Sequence, residues 1–229
     1  MSQAHTSPES FWQEILPVDA VTAGAYPARF DDGRILLLPS RVLPDGKRAL
    51  ASLIINQASF AVVDALAASL ARKLSAFAPD VIVGLPTLGL TLAAAVARLL
   101  GHTRYVPLGN SAKFWYRHEL SVPQSSVTTP AQAKRLYIDP RMLPLLEGRR
   151  VALLDDVISS GTSMLAGIAL LAVCGVKPAV LGTAMLQSAQ WERPLAGWDI
   201  VSVLRSPILD IDDAAMRVRS AIADPPADF

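Results

Sequence analysis

The sequence holds one cysteine and three histidines among its 229 residues. A lone Cys174 excludes an intrachain disulfide, and His5, His102 and His118 are too scattered to form a Cys/His zinc cluster. Neither sign of charge is in excess, since 21 Lys and Arg oppose 20 Asp and Glu. This balance lacks the basic footprint of nucleic-acid binding, so we expect no nucleic-acid partner.

Long apolar runs are also missing. The longest, residues 88–97 and 164–176, fall short of the roughly 20 apolar residues that cross a bilayer, and we interpret them as core helices. Residues 1–10 are polar and lack the apolar core of a signal peptide. We therefore expect a cytoplasmic protein with no membrane partner. Hydrophobic residues make up 52% of the chain, which is enough for one sizeable core.

One stretch, residues 151–163, combines a strand, two acids and a hydroxyl-rich loop: V-A-L-L-D-D-V-I-S-S-G-T-S. Four apolar residues predict a short buried strand, and residues 164–173 predict a buried helix after the loop. Gly161 permits main-chain angles that point N–H groups at an anion, and the helix start adds more. Asp155 and Asp156 would lie where open α/β sheets bind ligands and can accept hydrogen bonds from sugar hydroxyls. An ordinary helix-capping turn is the alternative.

This stretch resembles the phosphoribosyl pyrophosphate (PRPP) signature of type I phosphoribosyltransferases, and the resemblance extends over about residues 30–204. It implies an α/β fold: a doubly wound core with a parallel sheet, a small N-terminal hood and a long β-rich lid. It also implies Asp155 and Asp156 as catalytic residues that hold the ribose hydroxyls. The residues implied to bind the 5-phosphate of PRPP are Ser159, Ser160, Gly161, Thr162 and Ser163.

A second strand–loop–helix unit precedes the first by about seventy residues. Residues 81–83 predict a buried strand and residues 91–100 an alanine-rich helix. The unit resembles the pyrophosphate loop of adenine and xanthine phosphoribosyltransferases, in which an unusual peptide conformation is frequent, so we expect one around Pro86-Thr87. The implied pyrophosphate-binding residues are Leu85, Pro86, Thr87, Leu88 and Gly89. The implied cofactor is magnesium, held mainly through PRPP and not directly by the protein.

Residues 1–55 are interpreted as a tail and a hood hairpin, in which residues 34–38 and 50–55 pair across a Pro/Gly turn at 43–47. Residues 56–205 form the core, and 206–229 a C-terminal tail without evident chemistry. The first core helix has Asn56 or Ser59 as its cap. Its predicted apolar face consists of Phe60, Val63, Leu66, Leu70, Leu74 and Phe77.

Residues 109–140 are a long polar connection, which in a compact domain is usually functional or disordered, and the resemblance implies that they form the lid. Residues 125–129 and 135–138 predict a two-stranded flap within it. Lys113 and Glu119 are the lid's candidate catalytic residues, although exposed loop charges face solvent by default. After the core motif, residues 179–186 and 199–204 predict two more strands. Between them, Trp191 is either a base-stacking residue or, as we favour, surface cover.

The resemblance implies transfer of the phosphoribosyl group of PRPP to a nitrogen of a nucleobase, with release of pyrophosphate. The long lid favours a purine base. An orotate-type transferase and a non-catalytic regulator that senses PRPP are the two alternatives, and the regulator lacks the basic surface that it would need. The expected partners are PRPP and the base, and the expected assembly is a homodimer.

Overall fold

The computed structural model of the chain describes residues 11–18, 25–124, 134–212 and 217–219. Short 3-10 helices apart, the α-helices and strands of these residues are, in chain order, β1 (Tyr26–Arg29), β2 (Ile35–Leu38), β3 (Ser40–Val42), β4 (Arg48–Ala51), α1 (Phe60–Leu74), β5 (Val81–Gly84), α2 (Gly89–Leu99), β6 (Val106–Pro107), β7 (Ser121–Gln124), β8 (Lys134–Tyr137), β9 (Val151–Ile158), α3 (Thr162–Val173), β10 (Val180–Gln187), β11 (Ile200–Ser206), β12 (Ile208–Asp212) and β13 (Arg217–Arg219). Among the helices of these residues, none is long and apolar enough to cross a membrane.

Five of the strands form one parallel sheet in the order β11-β10-β9-β5-β6. From the centre, the chain adds β6 beside β5 on one side and β10 and β11 beside β9 on the other, so the sheet is doubly wound. The order in which strands are added reverses between β5 and β9, and we call this place the reversal point. This confirms the predicted α/β core. All eight residues of β10 are buried, as are seven of the eight in β9. Their near-continuous apolar runs follow from burial of both faces.

Two apolar clusters cover the two faces of this sheet. The first cluster contains the buried sides of α1 and α2, including Leu66, Leu70 and Leu92. The second cluster contains Leu170 and Leu171 of α3 together with residues of the lid. The sheet is therefore a middle layer, and its carboxyl edge is left to the loops that follow the strands.

Ser59 is the N-terminal cap of α1: its Oγ accepts a hydrogen bond from the Val62 N–H at 3.2 Å. This confirms one of the two predicted caps. Val63, Leu66, Leu70 and Leu74 of the predicted apolar face are buried, but the face is wrong at its two ends: Phe60 is 88% exposed, and Phe77 is half-buried in a 3-10 helix, Ser75–Phe77, that follows α1. Side chains in a helix lean toward its N-terminus, so a residue in the first position extends past the surface that the helix packs against.

The hood is built differently from the predicted hairpin. β2 pairs with β1, and β4 pairs with β3 across the predicted turn, so the expected pairing of residues 34–38 with 50–55 is wrong. Pro39 stands between β2 and β3. Because proline fixes φ and lacks an N–H, it separates what the apolar pattern suggests is one strand into two.

A C-terminal strand completes the hood. Residues 208–212, which the sequence assigned to a tail, form β12 and pair antiparallel with β4, and β13 follows at the edge. The hood thus joins residues from both ends of the chain. The I-L-D-I-D pattern of β12 is short, and only its long-range partner identifies it as a strand.

The lid contains the predicted flap. β7 and β8 pair antiparallel from Ser121–Tyr137 to Gln124–Lys134, so the second strand is confirmed within one residue. The first strand lies at 121–124 instead of 125–129, and residues 125–129 lie outside the described residues. Leu120, Val122 and Leu136 pack into the second core cluster. The position of β7 therefore follows the alternating apolar residues Leu120 and Val122, and not the polar run after them.

Candidate functional site

The reversal point of the sheet brings the two motif loops together. β5 leads into residues 85–89, and β9 carries the acidic pair and leads into residues 159–163. The Leu85 N–H donates to the Leu154 carbonyl at 2.9 Å, which extends the pairing of the two strands by one step. Ligands of doubly wound sheets bind in the crevice at this point.

Gly89 is the point of closest approach between the two loops. A Cβ atom placed on it would lie 2.8 Å from Asp155 Oδ1 and 2.9 Å from Asp155 Cα. Only glycine fits against the β9 main chain at this distance, because a methyl group would collide with atoms that cannot rotate away. The start of α2 is therefore seated directly on the acidic pair.

Asp155 and Asp156 are almost fully buried, at 7% and 9% exposure. Asp155 Oδ1 accepts the Asp156 main-chain N–H at 2.9 Å. Burial, and then the charge of Asp156, raises the pKa of Asp155 well above its ordinary range. Burial also raises the pKa of Asp156, against the opposing effect of hydrogen bonds from Asp155 and from main-chain N–H groups. The pair resists double ionisation until a ligand supplies compensating donors or positive charge.

Residues 159–163 form a tight turn into α3. Gly161 has φ of 81° and caps the helix, which is a conformation that side chains other than glycine rarely adopt. The hydroxyl oxygens of Ser160 and Thr162 are 2.9 Å apart, and the Thr162 N–H points at Ser160 Oγ at 3.4 Å. Hydroxyl groups and N–H groups are thus gathered at a helix N-terminus, which favours an anion.

Residues 85–89 form the opposing loop. The Leu85 side chain is fully buried in the second core cluster, so it anchors the loop and leaves contact with a ligand to the residues after it. The peptide bond between Pro86 and Thr87 is cis, which confirms the expected unusual conformation. Thr87 is exposed and α2 begins at Gly89, so this loop also offers a helix start to an anion.

The structure does not bring the two lid candidates into contact with the acidic pair. Lys113 and Glu119 are both exposed, and neither side chain has a hydrogen bond or ion pair to the part of the chain that the structure describes. Glu119 lies in a short 3-10 helix, His118–Leu120, that leads into β7. Their predicted catalytic role is left without direct geometric support.

Aromatic side chains give the lid its own local order. The Trp115 indole N–H donates to Asp139 Oδ2 at 3.1 Å, and the Arg141 guanidinium lies 5.0 Å from the centre of the indole. Arg141 also forms an ion pair with Asp139, and its hydrogen bonds lower the pKa of that carboxyl far below the ordinary range. Phe114 packs edge-on against Trp115 yet is 97% exposed.

Two residues that the sequence did not predict, Leu195 and Thr183, support the site from behind. A Cβ on Gly161 would lie 3.2 Å from Leu195, so the segment after β10 backs the turn at 159–163. Thr183 of β10 is fully buried and contacts the Asp156 main chain. Nothing in their local sequence marks either one, since a leucine and a strand threonine are ordinary. Trp191 is half-buried and its indole N–H donates to Ser188, which supports the interpretation as cover.

The described residues contain no group of three or more His, Cys, Asp and Glu side chains placed to hold a metal. The two carboxyl groups of the acidic pair suit an ion of the magnesium type, which is commonly held by one or two carboxylates together with substrate phosphates. Two anion-type loops flanking two carboxyl groups can accommodate a ligand with hydroxyl groups in the middle and phosphate at both ends.

Comparison with known proteins agrees with this geometry. The phosphoribosyl transferase domain family matches residues 50–214. Adenine phosphoribosyltransferase of Giardia lamblia, complexed with 9-deazaadenine, superimposes with a TM-score of 0.59 at 21% identity over 73% of this chain and 93% of that chain.

Two other adenine phosphoribosyltransferases are similar in structure. The Saccharomyces cerevisiae enzyme, complexed with adenine, gives a TM-score of 0.57 at 18% identity over 72% of this chain and 93% of that chain. The Thermoanaerobacter pseudethanolicus enzyme gives 0.52 at 21% identity over 63% and 80%. At these identities the likeness shows the fold. No curated protein sequence matches the chain.

Proposed function

This chain belongs to the phosphoribosyl transferase domain family, and on that premise we propose that it transfers the phosphoribosyl group of PRPP to a nitrogen of a purine base, releasing pyrophosphate. The dependence on PRPP follows from the family. The observation that carries the proposal is the seating of Gly89 on Asp155, because it places two anion-type loops on either side of one pair of carboxyl groups.

Each part of the site has a role in this reaction. Asp155 and Asp156 accept hydrogen bonds from the ribose hydroxyls. Residues 159–163 hold the 5-phosphate, whose binding energy positions the reacting anomeric carbon. Residues 86–89 hold the pyrophosphate, and Leu85 fixes that loop to β9. Magnesium would be held mainly through PRPP and would supply positive charge that offsets the charge of the pyrophosphate group.

Lys113 and Glu119 are proposed to reach the substrates when the lid covers them. A covered site excludes water, which competes with the base as nucleophile. The purine assignment is supported by the adenine phosphoribosyltransferases that share the fold. We further propose that the chain is a homodimer in the cytoplasm. Sedimentation of the purified chain and localisation of a tagged chain test these two points.

The test of the reaction is product analysis with PRPP, magnesium and a panel of purines, orotate and uracil. The expected products are a purine nucleoside monophosphate and pyrophosphate in equal amounts. Product with orotate alone would replace the purine assignment with the orotate type. PRPP binding without product from any base would point instead to a PRPP sensor. Variants Lys113→Met and Glu119→Gln should lower kcat while leaving the PRPP Kd unchanged.

A further inference from the structure

Side chains of the central strands stop alternating between the two faces of the sheet at one shared row. In a regular strand, neighbouring side chains point to opposite faces. Ala184 and Met185 are adjacent on β10, yet both pack into the first core cluster. Val203 and Leu204 on β11 do the same. Two neighbouring strands therefore change face at the same level of the sheet.

β9 changes face at this level too, and the acidic pair lies there. Leu154 packs into the first cluster, and Val157 packs against it as well, although strict alternation would turn Val157 to the opposite face. The strand register omits the pairs Ala184–Asp156 and Ala184–Val203 but continues unshifted on either side. The interruption of the ladder thus falls at Asp156 itself.

The hydroxyl of Thr183 fills this gap in the ladder. Its Oγ1 lies 2.9 Å from the Asp156 carbonyl oxygen and 3.3 Å from the Met185 nitrogen. The Met185 carbonyl oxygen is 3.2 Å away, but the hydroxyl has a single proton, and the Asp156 oxygen is closer. Thr183 therefore donates to Asp156 and accepts from Met185. It thus links the Asp156 main-chain carbonyl on β9 to the Met185 main-chain N–H on β10, at the level where the register is interrupted.

We propose that Thr183 is a positioning residue for the acidic pair, its hydroxyl holding the β9 main chain at Asp156 where both carboxyl groups face the ribose of PRPP. This rests on the proposed function, in which the pair binds that ribose. Thr183 is 0% exposed and cannot touch a substrate, so its whole effect passes through Asp156. Irregular pairing beside an active site commonly re-aims a side chain, and here the hydroxyl stabilises that irregularity.

Removal of the hydroxyl takes a donor from the Asp156 carbonyl and an acceptor from the Met185 N–H in a buried setting. β9 then loses its side-chain link to β10 at Asp156 and is free to shift, which disturbs the acidic pair. If the hydroxyl had only a structural role, its removal would lower the stability of the fold and leave the PRPP affinity of each folded molecule unchanged.

The experiment compares Thr183→Val, which keeps the shape, with Thr183→Ser, which keeps the hydroxyl. The matched control is Ser202→Ala, because Ser202 is a buried hydroxyl that pairs with Thr183 from β11, one strand further from the acids. PRPP affinity is measured by calorimetry with magnesium on the full chain, and KM for the base and kcat by product formation. Thermal unfolding checks that each variant is folded.

The valine variant should weaken PRPP binding about tenfold or more, as expected for loss of one hydrogen bond to a buried group, with KM for the base within about twofold. Thr183→Ser should stay within about threefold of the wild type, and Ser202→Ala should bind PRPP as the wild type does. Unchanged PRPP binding in Thr183→Val would overturn the proposal. Equal weakening in Thr183→Val and Thr183→Ser would also overturn it, since shape and not the hydroxyl would then matter.

A valine variant that does not fold is replaced by Thr183→Cys, which keeps the volume with a much weaker donor and is judged against serine in the same way. The wild type separates this proposal from the function on which it rests. A wild type that fails to bind PRPP overturns both. A wild type that binds PRPP, with a valine variant equal to it, overturns the positioning role alone.

Discussion

The reversal point of the sheet and residues 110–119 of the lid are built in opposite ways. At the reversal point the core fixes both motif loops: Leu85 bonds to β9 and Gly89 packs against Asp155 in the first, and Gly161 lies against Leu195 in the second.

In residues 110–119 the candidate side chains Lys113 and Glu119 are exposed, and order comes from the contacts of Trp115 with Asp139 and Arg141, although the lid flap itself packs into the second core cluster. The geometry of the proposed phosphate loops is therefore set by packing, whereas residues 110–119 are held by a few contacts that substrates can rearrange.

Gly89→Ala should have the largest effect if packing sets the phosphate geometry. Its Cβ would lie within 3 Å of the Asp155 main chain and carboxylate, so β9 and α2 must separate. Overpacking of this kind costs about 1–3 kcal/mol, and we expect PRPP affinity to fall about hundredfold. Calorimetric titration with PRPP and magnesium measures it.

Gly109→Ala is the matched control, because Gly109 starts the lid and a methyl group added to it would have nothing within 4 Å. It should bind PRPP within about twofold of the wild type. Equal losses from the two variants would mean that the lid is as tightly constrained as the reversal point, and the contrast between the regions would disappear.

Asp155→Asn and Asp156→Asn should each reduce turnover about ten- to hundredfold, because a hydrogen bond to a charged group contributes about 1.5–3 kcal/mol. Asp155→Asn should at the same time stabilise the fold. A carboxyl whose pKa is raised by burial binds its proton more tightly when folded, so the stability of the wild type falls as pH rises from the ordinary range through the raised value.

Asparagine does not titrate, so the stabilisation by Asp155→Asn should be small near pH 4 and grow toward neutral pH, by about 1.4 kcal/mol for each unit of raised pKa. Urea unfolding across this pH range measures it. A variant that is less stable than the wild type at neutral pH would mean that the Asp155 carboxylate supports the scaffold and is not held ready for a ligand.

The same contrast separates what the sequence predicted from what it missed. The motif at 151–163 is local: apolar run, acids, glycine and helix start lie in one stretch, so strand, turn and helix follow from it. Thr183 and Leu195 act across strands, and their local sequence is ordinary. The hood strand β12 was missed for the same reason, since it pairs with β4 from more than 150 residues away. In the lid, exposed charges such as Lys113 have no packing pattern to interpret.

Trp115→Phe tests the cluster of Trp115, Asp139 and Arg141 in the lid, and its expected effect is smaller than those above. Phenylalanine keeps an aromatic ring beside Arg141 but loses the indole N–H that bonds Asp139. The residue is 41% exposed, so the loss should be about 1 kcal/mol and should appear as a roughly fivefold lower kcat/KM for the base. The PRPP Kd should not change. Trp198→Phe is the control, as Trp198 contacts Lys177 and lies outside the lid.

Phe114→Ser should have the smallest effect on the fold, because the Phe114 ring contacts Trp115 edge-on but is otherwise open to solvent. Phe114 is 97% exposed, so its replacement should change the free energy of unfolding by less than about 0.5 kcal/mol. Leu136→Ala, at a fully buried position of the lid flap, should cost about 2–5 kcal/mol by contrast. Urea unfolding of both variants measures the difference. A Phe114→Ser variant as unstable as Leu136→Ala would show that the Phe114 ring is buried in solution, and residues 110–119 would then be as firmly packed as the reversal point.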